Sequence, residues 1–230
     1  METANQVVQQ VVVEENMLQF LMRFMVEGGA FMYVIAFIWI IGLVIVTERF
    51  FYLRKINIDG PSFFNQIKRM VISNNVQAGI QLCAGTQAHL AQVLKNGLKR
   101  ANQSRDQIQS ALEGTILEVV PKIEARLNYI AVLANMSTLF GLLGTIQGLI
   151  QSFGAVATAE ANLKQQLLAK GIAVAMNTTA IGLLSSITLT AMLAYLSSIS
   201  QRLVLEVDEY SIKLVDVLTT KSNQSLDEAV

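Results

Sequence analysis

The chain has one cysteine, one histidine and two prolines among its 230 residues, and the first two scarcities limit its chemistry. Cys83 has no second cysteine with which to form a disulfide within the chain, and His89 has no other histidine with which to share a metal ion. We therefore expect neither a metal site nor another cofactor, and we interpret both side chains as ordinary helix residues.

Charge is also scarce, because charged residues make up 15% of the chain and are missing from three long windows. The windows extend from Gly28 to Thr47, from Leu127 to Ala159 and from Gly171 to Gln201. A helix needs about 20 apolar residues to cross a hydrocarbon core of about 30 Å, and each window is long enough. The sequence therefore predicts an integral membrane protein with three membrane-spanning helices.

The second window differs from a plain hydrophobic anchor, because small residues recur along it. Gly141, Gly144 and Gly148 are spaced by three and four residues, which places them on one side of a helix. Small residues allow neighbouring membrane helices to approach closely. We predict that these three glycines, together with Gly182 in the third window, pack helix against helix.

None of the three windows contains Asp, Glu, Lys, Arg or His, so the chain supplies no titratable group of its own inside the membrane. A single membrane hydroxyl usually bonds a carbonyl of the preceding turn or joins two helices. The cluster Asn177-Thr178-Thr179 is harder to explain in this way, because three consecutive polar residues surround much of the helix. Polar groups at this depth are expected to face protein or water.

Basic residues concentrate between the first and second windows, beginning with Arg49, Arg54 and Lys55. By the positive-inside tendency, this middle segment and the C-terminus are cytoplasmic, and the N-terminus and the loop 158–170 lie on the opposite side. Apolar residues in 7–27 recur on one helical face, which predicts an amphipathic helix at the membrane surface.

The cytoplasmic segment has helical patterns near 62–73, 75–84 and 87–102. From Arg105 the apolar period of three and four continues into the second window, and we expect Pro121 to kink this helix without ending it. The third window likewise continues into the cytoplasm. The predicted fold is an all-α membrane protein with three transmembrane helices, two of them long helices that extend into a cytoplasmic helical domain.

Two strings resemble a known family. Residues 139–149, LFGLLGTIQGL, resemble the second-span signature of the MotA/TolQ/ExbB proton-channel family, and residues 171–183, GIAVAMNTTAIGL, resemble its third-span signature. The resemblance extends over nearly the whole chain, and it is closest to the ExbB- and TolQ-like inner-membrane motor subunits.

The resemblance implies a stator-type subunit in the bacterial inner membrane, in which five copies surround two copies of a single-span ExbD- or TolR-like partner. The partner's membrane aspartate carries the ion, and threonines of the five-fold subunit face it. By position these are Thr145 and Thr179, and we add Thr178 and Asn177 to the expected ion pathway. A difference is Val174, which stands where the better-known ExbB and TolQ proteins have a glutamate.

The family topology implies a series of segments with the N-terminus in the periplasm. These are a periplasmic amphipathic N-terminal helix (1–27), a first transmembrane helix (28–48), a cytoplasmic helical domain (49–126), a second transmembrane helix (127–157), a periplasmic loop (158–170), a third transmembrane helix (171–200) and a cytoplasmic C-terminal helix and tail (201–230).

Two functional hypotheses follow. The first is a motor subunit that couples ion flow, of protons or sodium, to work across the envelope, such as transport, envelope integrity or gliding motility. The second is a structural scaffold whose glycine and threonine faces only close an oligomer. A membrane enzyme is disfavoured, because the sequence offers no nucleophile–base pair, metal cluster or phosphate loop.

Overall fold

The computed structural model describes residues 29–227, and over this range the chain forms seven helices and no strand. The predicted all-α fold is therefore confirmed, whereas the amphipathic helix expected at 7–27 lies outside the described residues. The helices are α1 (Ala30–Ile56), α2 (Gly60–Ile72), α3 (Val76–Ala84), α4 (His89–Leu98), α5 (Arg105–Glu124), α6 (Leu127–Thr158) and α7 (Ala161–Asp227).

Within residues 29–227, three helical stretches are long and apolar enough to cross a membrane, in agreement with the predicted number of spans. They lie within Ala30–Ile72, Arg105–Thr158 and Ala161–Thr220. Large apolar side chains point outward along them, for example Phe37, Leu139 and Ile187. Outward apolar side chains in a helix suit a lipid environment, where every backbone polar group is paired within the helix.

The chain divides into two compact units. The first unit contains Tyr129–Ala191 and the residues up to Val44, and the second contains Ile45–Asn128 and the residues from Met192 onward. In the first unit α1 packs on α7, where Leu189 is fully buried against Gly42. A β-carbon at Gly42 would lie 2.6 Å from Leu189 Cδ2, so Leu189 occupies the space that the missing side chain leaves.

The core of the second unit is formed by apolar faces of the shorter helices and of the segments of α1 and α7 that belong to it. Pro61 lies in the first turn of α2, where its missing N–H costs no hydrogen bond. Gly60 lies beside the Tyr210 ring of α7, and a β-carbon there would be 2.7 Å from Tyr210 Cε2. Fully buried residues of this core include Leu53, Ile67, Leu94, Leu98, Ile108, Leu112, Ile123 and Leu196.

One prediction about the second long helix is wrong. The helix continues through Pro121, as expected, but it ends at Glu124 and α6 begins at Leu127, so it does not run unbroken into the second window. Arg126 has φ of 63°, in the left-handed region, which no α-helix can include. We refer to Ala125–Arg126 as the helix break.

Candidate functional site

Glycines form the contact between α6 and α7 within the first unit. A β-carbon at Gly182 would lie 2.7 Å from the carbonyl oxygen of Ser137 and 2.8 Å from Gly141 Cα. Gly182 is therefore required for the two backbones to approach so closely, and a β-carbon at Gly141 would also be crowded, at 3.1 Å from Gly182 Cα. Two of the four residues expected to pack helices are thus in direct contact.

The same contact continues toward the C-terminal end of α6. Gly144 lies beneath the Thr178 side chain, and a β-carbon at Gly148 would lie 3.1 Å from Ala175 Cβ. Further along, Gly171 lies against the buried Ser152. The antiparallel register of the two helices follows from these pairs, and we refer to the whole contact as the glycine seam.

Sequence reasoning did not single out Gly171 as a packing residue. The signal that could have found it is small-residue spacing. Gly148 and Ser152 are four residues apart on α6, and Gly171 and Ala175 are four residues apart on α7.

Thr145 and Thr179, the two threonines identified by resemblance, are brought together at the edge of the glycine seam. Their hydroxyl oxygens are 2.9 Å apart. The Thr145 hydroxyl oxygen also lies 2.8 Å from the carbonyl oxygen of Leu142 and 3.2 Å from the carbonyl oxygen of Gly141. The Thr179 hydroxyl lies 3.1 Å from the same carbonyl oxygen of Gly141. Both side chains are half-buried.

The two hydroxyls carry one proton each, so only two of these four contacts can be hydrogen bonds at any one time. In one arrangement Thr179 donates to Thr145, which donates to the Leu142 carbonyl. In the other, Thr145 donates to Thr179, which donates to the Gly141 carbonyl. Each arrangement makes two hydrogen bonds, so the pair can reverse its direction without losing one. When the direction reverses, the hydroxyl oxygen that accepts no hydrogen bond changes from that of Thr179 to that of Thr145.

The other two expected pathway residues have different surroundings. Thr178 is buried, with 1% of its surface exposed, and its hydroxyl donates to the carbonyl of Val174 at 2.9 Å while its methyl group packs on Gly144. Asn177 is half-buried, on a different side of α7 from Thr178. The four residues therefore do not share one surface. Thr145 and Thr179 form a pair, and Thr178 lies in the seam beside it.

The sole cysteine lies in the second unit and is buried. Burial raises the pKa of the Cys83 thiol to about 11, although the nearby positive charge of Lys95 opposes the shift. Such a thiol stays protonated and unreactive at neutral pH. Among the described residues, no group of three or more His, Cys, Asp or Glu side chains is placed to hold a metal ion.

Comparison with known proteins gives one family match and two relatives. The model of the MotA/TolQ/ExbB proton channel family matches residues 85–209, more than half of the chain. A biopolymer transport protein ExbB homolog from Methanothermobacter thermautotrophicus is 25% identical over 194 residues, which cover 84% of this chain and 67% of the relative. The biopolymer transport protein exbB1 of Vibrio cholerae is 42% identical over 65 residues, 28% of each chain.

Proposed function

The chain belongs to the MotA/TolQ/ExbB proton channel family, and on this premise we propose that it is the ring-forming subunit of an ion-driven motor in the bacterial inner membrane. The names of both relatives refer to biopolymer transport, which makes work on a substrate or partner across the envelope the favoured output. Envelope maintenance and gliding motility are the alternative processes that such a motor would drive.

The observation that supports this proposal most strongly is the hydrogen bond between Thr145 and Thr179. It joins two hydroxyls inside a unit whose spanning windows contain no charged residue. A reversible hydroxyl pair can accept a hydrogen bond from a protonated carboxyl group, or coordinate an ion through its oxygens, without becoming charged. We assign the ion pathway to this pair.

The missing charge implies a partner. A proton or sodium ion that crosses a membrane needs a group that binds it at that depth, and the windows of this chain offer none. We propose that a single-span ExbD- or TolR-like protein brings a membrane aspartate to Thr145 and Thr179. Five copies of the chain around two copies of the partner would surround that aspartate with hydroxyl pairs.

Thr178 and Asn177 have supporting roles in this proposal. Thr178 fills the space over Gly144 and so sets the position of the adjacent Thr179. Asn177 supplies polarity near Val174, where better-known relatives have a glutamate.

The contacts of the glycines within one chain weaken the alternative hypothesis of a purely structural scaffold. It requires glycine faces that are free to close an oligomer, but Gly141, Gly144, Gly148 and Gly182 all contact the other helix of their own chain. The glycine seam therefore accounts for these residues without a second copy.

The test is ion flux through the complex in proteoliposomes. Thr145→Val and Thr179→Val keep the branched shape of the side chain and remove the hydroxyl. Each is expected to lower proton- or sodium-driven flux at least tenfold, with the complex still assembled, and Thr145→Ser is expected to retain most of it.

The matched control is Thr190→Val, which removes an exposed hydroxyl from the same helix as Thr179. Flux in this variant should equal that of the wild type. Normal flux in both Thr145→Val and Thr179→Val, with the complex intact, would refute the assigned roles and favour the scaffold.

A further inference from the structure

A series of side-chain contacts in the second unit links the sole histidine to the helix break. The Tyr52 hydroxyl and His89 Nε2 are 2.8 Å apart, and the Arg49 guanidinium lies 5.0 Å from the centre of the Tyr52 ring. Arg49 in turn donates from Nη1 to the carbonyl oxygen of Lys122 at 3.4 Å. That carbonyl belongs to the last turn of α5, whose final four carbonyls have no partner within the helix.

Arg49 is placed to hold the end of α5, because only 5% of its surface is exposed. The neighbouring Glu48 binds Arg126 in the helix break, with Oε2 and Nη1 2.9 Å apart. Two consecutive residues of α1 therefore bind the two sides of the break. The left-handed backbone of Arg126 needs such support, because a non-glycine residue in this region is strained.

His89 lies in a confined site. Its Nδ1 atom is shielded from solvent and has no partner with hydrogen-bond geometry among the described residues. The ring borders a small cavity that also contains Glu206 of α7. The charged groups around the ring are Lys122 on α5, Glu206 on α7 and, beyond Tyr52, Arg49 on α1. The remaining cavity wall is apolar and consists of Ile56, Ile58, Leu90, Ile123, Leu203 and Val207.

This environment favours the neutral ring. Burial lowers the pKa of His89 below its ordinary value of 6.5, the nearby polar side chain of Gln92 opposes the shift, and the charge of Lys122 adds to it. Well above pH 6.5 the ring is neutral in both the folded and the unfolded chain, so His89 does not make the free energy of unfolding depend on pH there. As pH falls below 6.5, the unfolded chain binds a proton that the folded unit resists, and the folded unit loses stability.

We propose that His89 and Tyr52 form a proton-operated latch on the helix break. When His89 is neutral, Nε2 accepts the hydroxyl proton of Tyr52 in a hydrogen bond, and the Tyr52 ring stays beneath Arg49. When Nε2 takes up a proton from solvent, it becomes a donor, so the hydrogen bond can persist only with the Tyr52 oxygen as its acceptor, and the ring now carries a positive charge in a poorly solvated site. The new charge also repels Lys122.

Opening the latch frees the end of α5. The charged ring moves toward solvent and draws Tyr52 with it, so Arg49 loses the ring on which it stacks and the carbonyl of Lys122 loses its donor. The latch is closed at neutral pH and opens when the solution around the second unit becomes acidic. This regulation does not depend on the proposed ion pathway, since all of its residues belong to the second unit.

The first experiment follows His89 directly. The full-length protein in lipid nanodiscs, purified with a histidine-free tag and labelled with ¹³C-histidine, gives a single ring resonance because the chain has one histidine. We expect this resonance to titrate below pH 6.5. In Tyr52→Phe the midpoint of this titration should move, because the hydrogen bond with Nε2 is gone while the ring beneath Arg49 remains.

The second experiment follows the helix break. Hydrogen exchange of residues 122–127 is divided by the intrinsic rate at each pH. Protection should fall several-fold in parallel with the His89 titration, and in His89→Gln it should not change with pH. Tyr195→Phe, which removes an exposed hydroxyl of the same unit, is the control and should behave as wild type.

Two results would overturn the latch. One is protection that stays constant while His89 titrates in the wild type. The other is the same pH-dependent loss of protection in His89→Gln, because another group would then be responsible. An unchanged His89 titration in Tyr52→Phe would remove Tyr52 from the latch.

Discussion

At the scale of single residues, the packing of α6 against α7 in the first unit depends on glycines, which have no side chain. Gly141 and Gly182 face each other, and the carbonyl of Ser137 lies directly against Gly182. The obstacles to a β-carbon at Gly182 are backbone atoms, which cannot move aside as the end of a flexible side chain can. Overpacking at this point therefore requires the two helices to separate.

We predict that Gly182→Ala destabilises the first unit by about 1–3 kcal/mol, the usual cost of an extra methyl group in a filled core. Separation of α6 and α7 should also lengthen the Thr145–Thr179 hydrogen bond, so flux should fall together with stability. Reversible unfolding in detergent micelles or bilayers measures the first effect.

Gly154→Ala is the matched control, because Gly154 is an exposed residue of α6 at which a β-carbon would meet no other atom within 4 Å. Alanine is favoured over glycine in a helix by about 1 kcal/mol, so this variant should be as stable as wild type or more so. Equal stabilities of Gly182→Ala and Gly154→Ala would contradict the importance of the glycine seam.

At the scale of whole helices, the helix break is a structural element maintained by α1. A buried guanidinium donates to the end of α5, and an ion pair holds the left-handed residue that follows. The ion pair is partly exposed and contributes little by itself. The buried Arg49 therefore carries most of the interaction.

We predict that Arg49→Gln lowers the stability of the second unit by about 1–3 kcal/mol, the range for hydrogen bonds that involve a charged group. The loss should concentrate at the end of α5, where hydrogen exchange of residues 122–127 would accelerate more than that of the α4 core.

Arg54→Gln provides the comparison, because Arg54 has the same charge one turn further along α1 but is exposed. It should change stability by less than about 0.5 kcal/mol, as surface substitutions usually do. Similar losses in both variants would show that the net charge of α1 matters and that the contact with Lys122 does not.

Most of the helices could be predicted from the sequence, because apolar periodicity and charge-free windows are local signals. The helix break could not be predicted in this way. Its left-handed residue is Arg126, which carries none of the usual glycine or asparagine signal, and the groups that stabilise it come from α1, more than 70 residues earlier. Periodicity continues across the break and conceals it.

The candidate site was predicted only in part. The resemblance identified Thr145 and Thr179, but the hydrogen bond between them depends on the register of two helices, which the close approach of Gly141 and Gly182 determines. The partners of His89 were missed for a similar reason, since Tyr52 is 37 residues away and no ligand spacing connects them.

At the scale of the whole molecule, the proposed ion pathway needs a charged group that the described spans of this chain do not supply. The hydroxyl pair of the first unit is uncharged, and the windows that cross the membrane contain no acid. Under the proposed function, other polypeptides must complete this site, and identical subunits usually assemble with closed symmetry.

We predict that native mass spectrometry of the complex shows five copies of this chain with two copies of a single-span partner that has a membrane aspartate. Asp→Asn in the partner should abolish flux and leave this stoichiometry unchanged, which separates assembly from ion binding. A monomer that binds the partner and conducts ions would refute the ring.

The buried thiol of Cys83 has a practical consequence for membrane topology. Because it is buried and its pKa is raised to about 11, it should react much more slowly with maleimides at neutral pH than an exposed cysteine, so the natural chain serves as a background for labelling. Single cysteines introduced at exposed positions such as Gln166 or Asn57 can then be tested with reagents that cannot cross the membrane. Which of the two is labelled in intact cells would reveal the orientation of the chain in the bilayer.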